Sequence, residues 1–197
     1  MYQSTRHAFL VALSAMQIAV PARADDVLLA SLPVGDCALR VEMRTQEPNV
    51  LLVRASHPHY AGCQIDEASL RGALGQALSN PVAQQARYSS VFLGRLVDYP
   101  WLSTYLARAA AADPAWSPRA GKPARGDVNG YVGALLSRPV VTDRIQPPLE
   151  AGGYRIAGAS VEKVLISPAR ELPGLGEPPV AGRLPFDAMF WLRLQPR

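Results

Sequence analysis

Cysteine and lysine are scarce in this chain of 197 residues, and it contains no long run of like charge. Of its 20 basic residues only Lys122 and Lys163 are lysines, and the arginines are scattered singly. A nucleic-acid-binding groove requires clustered cations that follow the phosphates. The sequence therefore predicts a protein that does not bind nucleic acid.

Catalytic signatures are also missing. The chain has no Gly-x-Ser-x-Gly elbow, no His-Glu-x-x-His, no Cys-x-x-Cys and no glycine loop of the phosphate-binding type. Ser160 and Lys163 have the Ser-x-x-Lys spacing of penicillin-binding enzymes, but they fall in a strand-like stretch, where residues i and i+3 point to opposite faces. These absences favour a non-catalytic protein without a cofactor.

The amino-terminal segment has the pattern of an export signal. Residues 1–24 combine a basic start, an apolar run from Ala8 to Val20 and a small-x-small motif that ends at Ala24. That run is shorter than the roughly 20 apolar residues that span a bilayer. We expect cleavage after Ala24, which would leave residues 25–197 as a periplasmic or secreted chain of charge near +2 with no membrane span.

The two cysteines, Cys37 and Cys63, lie in the predicted exported part of the chain. Disulfides persist in oxidising compartments, and two cysteines allow only one pairing within a chain. We therefore expect a Cys37–Cys63 bridge, which would stabilise the fold by roughly 3 kcal/mol on the chain-entropy model.

Hydrophobic periodicity predicts an α+β fold. The predicted elements are a hairpin over 38–44 and 50–55, a strand over 88–97, strands over 161–166 and 186–194, and helices that start near Asp66, Trp101 and Asp127. We expect one domain over 25–197, with a mostly antiparallel sheet of about five strands and about three helices on one face; a doubly wound α/β fold is the alternative. Proline and glycine predict exposed loops near 113–126 and 167–185.

The predicted junction between the strand over 88–97 and the next helix concentrates charge and aromatic rings. Arg95, Asp98, Tyr99 and Trp101 lie within seven positions and could present side chains to a ligand. On the alternative interpretation Gly94 makes room for a neighbouring backbone, Arg95 pairs with Asp98, and both rings belong to the core.

The last predicted strand carries two large apolar residues on its polar face. Phe186, Ala188, Phe190, Leu192 and Leu194 alternate on one side, which leaves Met189 and Trp191 on the other. Such groups need cover, either from a helix of the same domain or from a partner, and the second alternative makes Trp191 a candidate binding residue.

His57-Pro58-His59 holds the only two histidines that remain after signal removal. In an extended chain both rings face the same way and could share a metal, with Asp66 or Glu67 completing the site. No third ligand of known position supports zinc or copper, so a solvated loop is the alternative.

Taken as a sequence, the chain predicts an exported, non-catalytic protein that binds another envelope or secreted protein, as an envelope accessory factor, an inhibitor or an immunity protein does. The alternative is a small periplasmic hydrolase or metal-binding protein that uses His57 or His59.

Overall fold

The computed structural model describes residues 26–56, 63–112, 116–117, 122–123, 127–166 and 186–197. The strands in these ranges are β1 (Val27–Val34), β2 (Cys37–Met43), β3 (Val50–Ser56), β4 (Ser90–Arg95), β5 (Trp116–Ser117), β6 (Lys122–Pro123), β7 (Tyr154–Ile166) and β8 (Phe186–Pro196). The helices are α1 (Glu67–Leu78), α2 (Pro81–Gln84), α3 (Pro100–Ala112), α4 (Val128–Leu136) and α5 (Pro139–Ala151). A 3₁₀ turn, Leu96–Asp98, joins β4 to α3.

Six strands form one sheet in the order β1-β2-β3-β4-β8-β7. Only β3 and β4 run parallel, because α1 and α2 lie between them and carry the chain across. Every other neighbouring pair is antiparallel. The predicted α+β class with a mostly antiparallel sheet and helices on one side is confirmed, with six strands in place of about five and more helices than the three expected.

The strands β1, β2 and β3 form an antiparallel meander. The predicted hairpin over 38–44 and 50–55 is confirmed as β2 and β3. The preceding strand β1 was not predicted, although it alternates partly buried and exposed residues. A two-residue turn joins β1 to β2, and Gly35 adopts a φ of 57° in it, a value that favours glycine.

The predicted disulfide is present between Cys37, at the start of β2, and Cys63, just before α1. The two Cα atoms lie 6.0 Å apart, within the usual range for a bridge. Both cysteines are buried. The bridge therefore links the first hairpin to the segment that leads into the first helix.

The helix α1 begins at the predicted cap. The Asp66 carboxylate accepts the Ser69 N–H at 2.6 Å, and this hydrogen bond lowers the pKa of Asp66. Its apolar residues recur at helical spacing and are buried: Leu70, Ala73, Leu74, Ala77 and Leu78.

Helix α1 ends at Leu78, just before Asn80-Pro81, and Asn80 then caps the separate short helix α2 by accepting the Val82 N–H. Asp127 precedes α4 as predicted, yet its side chain makes no capping hydrogen bond.

The hydrophobic core lies between the helices and one face of the sheet. The sheet contributes alternate residues, and α1, α3, α4 and α5 contribute their apolar stripes. The most deeply buried sheet residues on this side are Leu39, Val41, Leu51, Val53, Val91, Leu93, Ala188, Phe190 and Leu192. Within the described residues, no helix is long and apolar enough to cross a membrane.

Candidate functional site

The side of the sheet opposite the helices is the principal candidate surface, and we call it the open face. Along β8 it carries Asp187, Met189, Trp191, Arg193 and Gln195, because the intervening residues point into the core. The strand register places further residues on the same side: Arg40, Glu42, Leu52, Arg54, Phe92, Arg95, Arg155, Ser160 and Lys163. Leu52 is buried, yet it lies outside the core cluster, which agrees with its place on the side of the sheet away from the helices.

Two rings stack at the centre of the open face. Phe92 and Trp191 are register partners on β4 and β8, with ring centroids 4.6 Å apart and planes tilted by 49°. Both rings are partly exposed. With Met189, two residues along β8, they form what we call the aromatic cluster. The expectation that Trp191 and Met189 lie on the polar face of the last strand agrees with this register.

A neighbouring carboxylate orients the Trp191 ring. The indole Nε1–H donates to Glu162 Oε2 at 3.2 Å. Glu162 occupies a β-bulge in β7 between Val161 and Lys163. An indole held both by a ring partner and by a hydrogen bond has few alternative rotamers, so Trp191 presents a fixed shape to the outside.

The same bulge places Lys163 on the open face. Ser160 pairs with Trp191 and Lys163 pairs with Met189, and these two partners share a face. The expectation that Ser160 and Lys163 point to opposite faces is therefore wrong, because it assumed a regular strand. Their side chains share no hydrogen bond in the part of the chain that the structure describes.

A second bulge, in β4 between Phe92 and Gly94, turns Arg95 outward. Arg95 pairs with Met189 in the register, so it lies on the open face and not on the side of Val91 and Leu93, where a regular strand would place it. Gly94 has a φ of 77°, and a Cβ there would lie 3.6 Å from the Val53 carbonyl oxygen. That distance is an ordinary van der Waals contact, so the positive φ, and not a close approach of a neighbouring backbone, favours glycine at this position.

Arg95 pairs with Asp187 and not with Asp98. The Arg95 Nε to Asp187 Oδ2 distance is 2.7 Å, and Asp187 Oδ1 also accepts the Val97 N–H at 3.1 Å. Asp187 therefore ties the start of β8 to the 3₁₀ turn. The expected Arg95–Asp98 ion pair is wrong because the bulge directs the guanidinium toward β8.

Asp98 instead holds the segment after the disulfide loop. Its Oδ1 accepts the Cys63 N–H at 3.0 Å, and its carbonyl oxygen accepts the Ile65 N–H at 2.9 Å. Burial raises the pKa of Asp98, while the Cys63 hydrogen bond and Arg95 act in the opposite direction. The Asp98 side chain and carbonyl oxygen therefore both hold the backbone of the segment before α1.

Tyr99 belongs to the core. Its hydroxyl donates to the Leu93 carbonyl oxygen at 2.7 Å, and its ring packs edge-on against Phe190 with centroids 5.9 Å apart. Burial raises the pKa of Tyr99. A buried, hydrogen-bonded phenol of this kind does not offer its hydroxyl to a ligand.

Trp101 is partly buried at the start of α3. Arg144 of α5 lies over its ring, with the guanidinium carbon 5.6 Å from the centroid. Its Nε1–H is buried and has no hydrogen-bond partner in the described part of the chain. The structure therefore does not bring Trp101 to Trp191, and only Arg95 and Trp191 of the predicted binding residues share the open face.

Charges on the β1–β3 half of the open face pair with one another. Glu42 is nearly buried and lies 3.5 Å from both Arg40 and Arg54, and Arg54 also binds Asp26 at 3.2 Å. On the half formed by β4, β8 and β7, Arg95 is paired with Asp187, but the other cations have no carboxylate partner within the described ranges. Arg155 donates only to the neutral Gln195 amide oxygen, and neither Lys163 nor Arg193 has an ion pair within the described ranges.

The β7 edge of the sheet is covered by side-chain hydrogen bonds. Gln146 of α5 donates to the Tyr154 carbonyl oxygen at 3.1 Å and accepts the Ile156 N–H at 2.8 Å. Ser137 accepts the Ala159 N–H at 2.7 Å. These groups replace the partners that another strand would offer along residues 154–159, so this part of the edge is protected against strand addition.

The β1 edge is protected differently. Asn80 donates to the Leu29 carbonyl oxygen at 3.2 Å, beside a bulge between Leu28 and Ala30. Pro33 has no N–H to offer to another strand. Since bulges and prolines disfavour edge-to-edge pairing, the open face is a better candidate for interaction than either edge.

The predicted metal site at His57 and His59 lies outside the described residues. Within those residues, no group of three or more histidine, cysteine, aspartate or glutamate side chains is arranged to hold a metal. Residues 1–24 also lie outside the described ranges, and so does most of each predicted loop near 113–126 and 167–185.

The fold and its candidate site define an α+β protein with a one-sided helix layer and an aromatic, partly charged sheet face on the other side. The chain matches no protein-family model, no curated protein and no solved structure.

Proposed function

We propose that this protein is an exported, non-catalytic binding protein whose open face docks against another protein. One observation carries the proposal: the aromatic cluster of Phe92, Met189 and Trp191 is partly exposed on the side of the sheet that carries no described helix. Aromatic and methionine side chains are enriched in protein interfaces, and tryptophan is the most frequent energetic anchor.

The organisation around the cluster also favours docking. A central apolar group ringed by charged side chains resembles the core and rim of a protein interface. Trp191 is held in place before binding by Phe92 and Glu162, so less side-chain entropy is lost when a partner covers it. The β1 edge and residues 154–159 of the β7 edge are protected against strand addition, which favours the face over the edges as the surface for contact.

Export is the second part of the proposal. The buried Cys37–Cys63 bridge supports an oxidising compartment, and the small-x-small motif supports removal of residues 1–24. When the chain is produced with its own leader in a Gram-negative host, the osmotic-shock fraction is expected to contain a protein that begins at Asp25. A full-length, membrane-bound product would contradict export.

Site-specific photocrosslinking in the cells that make the protein tests the docking surface. A photoreactive phenylalanine analogue at position 191 is expected to give a discrete adduct with another protein. The matched control is position 140, because Val140 is 48% exposed on the helical side. Adducts at position 140 but none at 191, 189 or 92 would overturn the proposal.

A further inference from the structure

The charges around the aromatic cluster point to one kind of partner. We infer that the open face receives an extended acidic protein segment, with an apolar side chain on Trp191 and carboxylates on Arg193 and Lys163. This inference rests on the proposed function and specifies the chemistry of the segment that the open face binds.

Cations outnumber carboxylates on one half of the open face. On the β4, β8 and β7 half of the face the cations are Arg95, Arg155, Lys163 and Arg193, against the carboxylates Glu162 and Asp187. Asp187 is bound to Arg95, and Glu162 accepts the Trp191 N–H. In the described part of the chain, three exposed cations on this half therefore lack a carboxylate partner, and anions from outside satisfy them best.

The cations lie on either side of Trp191 along the strand direction. Arg193 lies two residues after Trp191 on β8. Met189 lies two residues before Trp191, and Lys163 is its register partner on β7. Four residues along a strand span about 13 Å. In an extended segment, side chains i, i+2 and i+4 face the same way at this same spacing. An acidic-x-apolar-x-acidic pattern thus matches the order cation, ring, cation.

An open depression lies beside the Arg193 side chain. Gly158, its register partner on β7, has no side chain, and the guanidinium extends over it: a Cβ at Gly158 would lie 3.1 Å from an Arg193 terminal nitrogen. Ser89, Ser90 and Gln195 line an open depression beside this guanidinium. The Ser89 hydroxyl already donates to the Asn49 carbonyl oxygen, so the donors left for a carboxylate that reaches Arg193 are the Ser90 hydroxyl and the Gln195 amide nitrogen.

The probe is the synthetic peptide Gly-Glu-Thr-Val-Thr-Glu-Gly with blocked ends, whose threonine and valine residues favour an extended chain. Titration into isotopically labelled mature protein at low salt is expected to shift the amide resonances of β7 and β8 around Trp191. The same peptide with lysine for both glutamates is expected to bind at least about tenfold more weakly, because it meets unpaired cations.

Charge variants locate the contacts. Arg193→Gln and Lys163→Gln are each expected to weaken binding about two- to fivefold, as exposed ion pairs do. Arg108→Gln is the matched control, since it removes an exposed cation that has no ion pair in the described ranges and lies on α3. Glu162→Gln keeps an acceptor for the Trp191 N–H and is expected to strengthen binding, because it removes a repelling charge.

Reversing the charges of the two cations gives a variant whose gain of binding to the lysine peptide cannot result from misfolding. The doubly reversed variant Arg193→Glu, Lys163→Glu is expected to lose the glutamate peptide and to bind the lysine peptide. Equal affinity of the wild type for both peptides would overturn the inference, as would an equal loss in Arg108→Gln.

Other occupants give other results. If a 20-nucleotide DNA single strand binds more tightly than the glutamate peptide, and the same substitutions abolish that binding, the face binds nucleic acid and the inference is overturned. A dimer in sedimentation that Trp191→Ala dissociates would assign it to a second copy, with the same consequence. If position 191 crosslinks to a protein while the acidic peptide fails to bind, the proposed function stands and this inference falls.

Discussion

Reduction of the Cys37–Cys63 bridge is expected to remove a large part of the stability of this protein. The cysteines are 26 positions apart, and closing a loop of that length lowers the entropy of the unfolded chain by an amount worth about 3.5 kcal/mol at 25 °C. Domains of this kind have a free energy of unfolding of about 5–15 kcal/mol. The melting temperature should therefore fall by about 7–14 °C, at about 2–4 °C per kcal/mol for this chain length.

Equilibrium urea unfolding of residues 25–197, with and without a phosphine reductant, measures this loss without changing any side chain but the bridge. The double variant Cys37→Ala, Cys63→Ala is the control, and its unfolding curve is expected to be insensitive to reductant. The reduced wild type should also unfold with a steeper dependence on urea, because its unfolded state is less compact.

The structure also indicates where the reduced protein should loosen first. The Cys63 and Ile65 N–H groups bind Asp98, whereas the amides of β8 lie in the middle of the sheet. Hydrogen exchange at residues 63 and 65 is expected to accelerate more than exchange in β8. A stability difference below about 1 kcal/mol, or uniform acceleration across the sheet, would refute the reasoning.

Three further outcomes follow from single side chains. Tyr99→Phe leaves the buried Leu93 carbonyl oxygen without its donor and is expected to cost about 1–3 kcal/mol in urea unfolding; no loss would contradict the buried hydrogen bond. Burial raises the native pKa of Asp98, so the stability that its protonated form contributes is present at low pH and is lost as the pH rises through that native pKa. Asp98→Asn keeps the acceptor for the Cys63 N–H, and its stability relative to wild type should rise between about pH 3 and pH 7; a flat or falling difference would refute the assigned shift. Gln146→Ala uncovers the edge of β7 and is expected to lower stability by about 1–2 kcal/mol and to speed exchange of the amide at position 156, which unchanged exchange would contradict.

Local chemistry and periodicity determined much of the fold. The β2–β3 hairpin follows from alternating side chains, α1 from a capping aspartate and a helical stripe, and the disulfide from the number of cysteines and the expected compartment. Each of these features depends on residues close in sequence or on a count. The sequence also predicted which residues of β8 lie on the open face, because a period of two residues assigns each side chain to one face of the sheet.

The register and the neighbours of each strand were decided only in the tertiary structure. Bulges beside Gly94 and at Glu162 shift the alternation by one residue, so Arg95 and Lys163 reach the open face, which a regular strand would have denied them. Phe92 gains importance only because β4 lies beside β8, strands separated by about 90 residues in the chain. A bulge and a long-range strand pairing are fixed by packing against the rest of the core, and no periodicity within one segment encodes them.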